Sequence, residues 1–319
     1  MKNAVVYMSL FIMGICAACA GPGTRTFGPD GKLVLPLERE TRNGNGNGPE
    51  VVSNAGFTNP GLAGFSFNFI GDVDDEIERI KVIQTLFGIG IEYSPTLPNH
   101  RDYSWIVIRQ QLPSGTKYYQ KTGSYDGSAT LLPHSILRGE QAKGVPVLVG
   151  FSLWRGMEDK VSDFEIKVFR YQDRSNEVFL SIAFGDRDSA YGDPPFSYQV
   201  DFAIVPERKV VKEWHHLGGY AVTGSASRNI NAKYPVLQGF RLEFVDDDGN
   251  GEEHNLDQVG VLVSPSRIQV AYNDKNDDDR FRWEVWFADV KDFNELTGPE
   301  KLAPGPAPSR IEDILTPRP

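Results

Sequence analysis

The sequence predicts an all-β fold: three tandem antiparallel β-sheet repeats of four to six strands each, packed with pseudo-threefold symmetry in a sandwich- or prism-like arrangement. Three observations carry this prediction. The hexapeptide Pro-x-Leu-x-Gly-Phe occurs at residues 60–65, 146–151 and 235–240. Each copy is followed by the same three apolar signatures in the same order, which is the mark of a repeated structural unit. No stretch longer than a few residues repeats apolar side chains at i, i+3, i+4 and i+7, so helix content is low.

The first 20 residues read as an export signal, with Lys2 as a thin basic region, an apolar stretch over 4–13 and a small-residue zone Cys16-Ala-Ala-Cys19-Ala20. Ten apolar residues are too few to span a bilayer as a helix. Cleavage after Ala20 releases a soluble chain, whereas the run ending at Cys19 resembles a bacterial lipobox and makes Cys19 a lipidation site. Either route is extracytoplasmic, secreted or outer-envelope, and leaves no cysteine in the folded part to form a disulfide. Residues 21–56, with the run Asn43-Gly-Asn-Gly-Asn-Gly48, read as a flexible linker.

Repeats follow at 57–144, 145–233 and 234–292. In each, the first strand begins at the Gly-Phe pair, where Phe65, Phe67 and Phe69 alternate with Ser66 and Asn68. That period of two marks a strand with one buried face. The second strand carries Ile77, Ile80 and Val82, then Val161, Phe164 and Ile166, then Leu256, Val259 and Val261. The third carries Ile89, Ile91 and Tyr93, with Leu180, Ile182 and Phe184, and Ile268, Val270 and Tyr272, as its counterparts. The fourth closes on Tyr103, Trp105 and Val107, on Phe196, Tyr198 and Val200, and on Phe281, Trp283 and Val285. Short strand-like pieces at 117–121 and 209–214 predict an extra pairing strand per unit. The repeated glycine marks a tight backbone approach or a bulge, and the aromatic residues are core. Residues 293–319 are a Pro-rich, extended tail.

Read as an antiparallel meander, each repeat puts its first and third loops at one end of the sheet, and both are acidic. The first loop holds Asp246, Asp248 and Asn250 in the third repeat, with Asp257 at the twelfth position of an EF-hand-like run. The third loop holds Asp274, Asn276 and Asp278 there, and Asp186 and Asp188 in the second repeat. Gathered carboxylates repel one another, and oxygen ligands at these spacings suit Ca²⁺. The plainer reading is a solvated polar turn. No nucleophile elbow, phosphate-binding loop, dinucleotide fingerprint or zinc-protease motif is present, so the sequence reads as non-catalytic. The net charge of −10, without a Lys/Arg run, argues against nucleic acid and anionic membrane as partners. Membrane contact is then expected only through the N-terminal lipid.

The second to fourth strands, most clearly Ile268-Gln-Val-Ala-Tyr272 and Phe281-Arg-Trp-Glu-Val-Trp-Phe-Ala288, resemble the H-type lectin domain. Tyr198-Gln-Val-Asp-Phe-Ala203 and Trp105-Ile-Val-Ile108 are the counterparts in the other copies. The resemblance implies a small antiparallel β-sandwich that trimerises and binds N-acetylgalactosamine-type sugars, with three linked copies imitating the trimer. The family's sugar-contacting residues find no match here. The expected function is a secreted or lipid-anchored binding protein for carbohydrate or a cell-surface protein, with Ca²⁺ as a candidate cofactor. The other expectation is a structural or assembly protein of the envelope.

Overall fold

The computed structural model describes residues 26–27, 33–34, 38–45, 50–53, 60–69, 77–84, 88–95, 102–125, 130–155, 161, 163–174, 176–185, 195–222, 224–245, 256–274 and 280–291. Among them the structure is all-β, broken only by short 3₁₀ turns at Gly139–Ala142 and Glu207–Lys209. A small pair, β1 (Thr26–Phe27) and β2 (Leu33–Val34), comes first. Next are β3 (Glu38–Asn45), β4 (Glu50–Ser53), β5 (Pro60–Phe69), β6 (Ile77–Gln84), β7 (Gly88–Pro95) and β8 (Asp102–Gln111). A second set comprises β9 (Lys117–Tyr125), β10 (Thr130–Arg138), β11 (Val145–Arg155), β12 (Asp163–Phe169), β13 (Glu177–Gly185) and β14 (Phe196–Val205). The third comprises β15 (Val210–Ala221), β16 (Ser225–Asn229), β17 (Pro235–Phe244), β18 (Leu256–Val263), β19 (Arg267–Asp274) and β20 (Phe281–Val290).

These strands form three antiparallel six-stranded sheets. Sheet I runs β16-β19-β18-β5-β8-β3, sheet II runs β4-β7-β6-β11-β14-β9, and sheet III runs β10-β13-β12-β17-β20-β15. Every sheet therefore joins three strands of one set to three of another. The meander expected from the sequence is corrected here: a Gly-Phe strand pairs with the fourth strand of its own repeat and with the second strand of a different one. The physical reason is the long acidic loop after each Gly-Phe strand. A hairpin needs a turn of two to five residues, and a longer connection lets the next strand leave for another sheet. The strand ends that flank those loops still lie together at one end of a sheet. Ends of Gly-Phe strands oppose starts of fourth strands, as Phe244 does Phe281, and starts of second strands oppose ends of third ones, as Leu256 does Asp274.

Part of the segment read as a linker is also corrected. Glu38–Asn45 and Glu50–Ser53 are edge strands paired to β8 and β7. Edge pairing is made by backbone groups and requires no apolar alternation, so composition alone hides it. The predicted extra strand is present, and two stand in each connection, β9 and β10 and then β15 and β16, each on the edge of a different sheet from its companion.

The inward faces of all three sheets feed one apolar cluster. At its centre the Phe65 ring lies 5.0 Å from Phe151 and 5.1 Å from Phe240, and Phe151 lies 6.0 Å from Phe240. Phe164 packs edge-on against Phe240 at 4.8 Å. Trp105, Tyr198 and Trp283 are buried in the same cluster, at most 8% exposed. The repeated glycine makes this approach possible. A Cβ at Gly64 would sit 2.6 Å from the Val261 carbonyl oxygen and one at Gly239 2.7 Å from that of Ile166, and at Gly150 it would press still closer on that of Val82. Beside each glycine the pairing with the fourth strand slips by one residue, a bulge at the same place three times.

Candidate functional site

Alternation that sends aromatic residues inward sends their neighbours outward, and the three outward faces differ. On sheet III, Arg241 lies among Asp163 (3.6 Å), Glu165 (3.9 Å) and Glu243 (2.9 Å), a face closed on itself by ion pairs. On sheet I, Ser66 fills the space that a Cβ at Gly260 would need, and Ala63, Ile108 and Leu262 form a small buried cluster.

Sheet II presents a recess of about 390 Å³, lined by residues on two neighbouring rungs. One rung runs Glu92, Lys81, Ser152, Gln199, Thr122, and the other includes Arg79, Trp154 and Ser197. Small Ser152 and Ser197 make the floor, and longer side chains make the walls. Trp154 is 40% exposed, whereas Phe151 and Leu153 on the same strand are fully buried. The Arg79 guanidinium carbon lies 5.2 Å from the Trp154 ring centroid. Its Nη1 donates to Glu92 Oε1 at 3.0 Å, and Lys81 Nζ stands 4.0 Å from Glu92 Oε2. A flat apolar ring beside hydroxyls, an amide and charged groups is chemistry for a ligand with both C–H faces and polar edges.

One rung beyond Gln199 lies Asp201, a buried carboxylate that accepts from Gln120 Nε2 at 2.9 Å and from Gln199 Nε2 at 3.1 Å. Burial pushes its pKa up to about 6, against the pull of the two amide donors. Near the loop end, buried tyrosines tie one sheet to the next. The Tyr93 hydroxyl donates to the Leu256 carbonyl at 2.9 Å and that of Tyr272 to the Val161 carbonyl at 2.6 Å. The second repeat carries Phe184 at this position, which cannot donate, and the Arg155 guanidinium packs over its ring at 4.9 Å.

Of the residues proposed as calcium ligands, Asp246, Asp248, Asn250, Asn276, Asp278, Asp186 and Asp188 lie outside the described residues, as does Cys19. Asp257 and Asp274 are strand residues at one end of the β18–β19 ladder. Asp274 opposes Leu256, and Asp257 sits at the register slip that follows. Sequence reasoning missed the recess on sheet II. The signal was Trp154, an aromatic residue at an outward phase where the other copies carry Asn68 and Glu243. The chain matches no known protein-family model, and no curated protein matches it.

Proposed function

We propose that this chain is an exported, non-catalytic carbohydrate-binding protein, secreted or held by a lipid at Cys19, whose three units form a pseudo-threefold prism. The observation that carries the reading is Trp154, an indole left exposed beside a floor of serines and a wall of amide and charged groups. A pyranose offers an apolar C–H face that stacks on such a ring, and hydroxyls that pair with its polar neighbours. The H-type lectin resemblance of the second to fourth strands supports the same reading, and the identical strand order of the three sheets supports the prism. Ca²⁺ among Asp246, Asp248, Asn250 and Asp257 would neutralise the acidic rim and belongs to this proposal as a second, separate site.

A glycan array probed with wild type and with Trp154→Ala, in Ca²⁺ and in chelator, tests it. The expected outcome is binding that Trp154→Ala weakens roughly tenfold, the loss of one aromatic stacking contact. An array blank under both conditions overturns the reading. A protein-binding role in the envelope is supported by β15, an edge strand with Val211 and Tyr220 exposed, continued by exposed Val222. Recovery of the chain in a large complex after mild extraction and cross-linking would favour that role.

A further inference from the structure

The recess on sheet II differs from its counterparts in a second respect, its charge. Arg79 and Lys81 stand opposite Trp154 and Ser152. The register equivalents are Asp163 and Glu165 on sheet III, and Gln258 and Gly260 on sheet I. Two cations therefore share the carboxylate of Glu92 in a chain whose net charge is −10. Depth also separates them. The Glu92 side chain is 7% exposed, while those of Arg79 and Lys81 are 35% and 22% exposed. An arriving ligand meets the cations before it meets the acid beneath them. Asp201, the other carboxylate near the recess, is buried and engaged by Gln120 and Gln199.

We propose that this recess selects sugars carrying an acid group, a carboxylate or sulfate, with the pyranose ring on Trp154 and the acid on Lys81 and Arg79. This inference rests on the carbohydrate reading above and narrows it. Lys81 and Trp154 are diagonal neighbours on adjacent strands, roughly 7–8 Å apart, the reach of one sugar ring with its exocyclic acid. Arginine adds a planar donor pair suited to either anion.

Titration calorimetry of the full mature chain with trigalacturonate, with its methyl ester, and with a sulfated and an unsulfated galactose trisaccharide tests the idea. Esterification removes the charge and keeps the backbone of the sugar. The acid form is expected to bind roughly fivefold more tightly than its ester at low salt, the size of a partly exposed ion pair. About 0.5 M NaCl should erase the preference. Lys81→Gln should bring the acid-to-ester ratio to about one with thermal stability unchanged, while Lys117→Gln, a cation on β9 outside the recess, should keep it. Equal binding of acid and ester by wild type, or the ratio surviving in Lys81→Gln or vanishing in Lys117→Gln, overturns acid selection and leaves sugar binding standing. No binding of any of the four sugars removes the carbohydrate reading and acid selection with it. A preference confined to the sulfated or to the uronate pair identifies the acid group and supports the proposal.

Discussion

At the scale of single residues, Asp201 is the group whose titration should be visible in the stability of the whole protein. Burial holds its pKa at about 6 in the folded state, while an unfolded chain releases that proton near pH ~4. Between those values the native state binds more protons than the unfolded one. Its stability therefore falls as pH rises from ~4 to ~6 and stays lower above that window. The difference corresponds to roughly 3 kcal/mol. Asp201→Asn can still accept from Gln120 and Gln199 and carries no charge to desolvate. Its melting temperature should exceed that of wild type at pH 8 and converge with it near pH 4, as followed by circular dichroism across pH. A constant offset at all pH values would mean that another group sets the dependence. The neighbouring Trp154 shows how much the position of one residue in a strand discloses. Its outward phase was readable in the string Phe151-Ser-Leu-Trp154, because Phe151 and Leu153 claim the inward face. Its partnership with Arg79 and Lys81 was not readable, since those side chains come from a different repeat.

Among elements, the Gly-Phe strands decide the geometry. Each sits at the centre of a sheet between strands of two different sets, with a bulge where it passes its glycine. Gly150→Ala would drive a methyl group into the backbone of β6, and a backbone carbonyl in a central strand cannot swing aside as a side-chain tip can. The expected cost is about 3 kcal/mol, measured by urea denaturation, with similar losses for Gly64→Ala and Gly239→Ala. A neutral result at any of the three would show that the strands can part there. Sequence alone identified these strands, their inward faces and the close approach at the glycine. It did not identify neighbours, because a period of two marks which face is buried and carries no information about which strand lies alongside. The edge strand Glu38–Asn45 escaped for a related reason: backbone pairing to β8 leaves no apolar pattern in Glu-Arg-Glu-Thr-Arg-Asn-Gly-Asn. Along β15 regular alternation breaks at His215 and His216, where the strand bulges between Trp214 and Leu217 with His216 at φ 52°.

For the molecule as a whole, exchange of strands between sets makes stability indivisible. A fragment of residues 57–144 would hold β5 and β8 of sheet I, β6, β7 and β9 of sheet II and β10 of sheet III, and no sheet could be completed. Such a fragment should lack strand signal in far-ultraviolet circular dichroism, and the intact chain should unfold in one calorimetric transition. Three separate transitions would mean that the sheets are independent after all. The sequence predicts that the three Gly-Phe strands share an interior, and Phe65, Phe151 and Phe240 do meet in one core. The pairing of Phe65 with Val261 carries a further consequence for how the chain is made. Sheet II draws on nothing beyond Val205, so it can assemble while the rest is still being synthesised. Sheets I and III must wait for the last set, sheet I for β18 and β19 and sheet III for β17 and β20, and until then β5 offers a bare edge to any passing strand. Completion of both sheets by the last-made set is thus the slow, late event of folding, and a holding chaperone would be needed most during that interval.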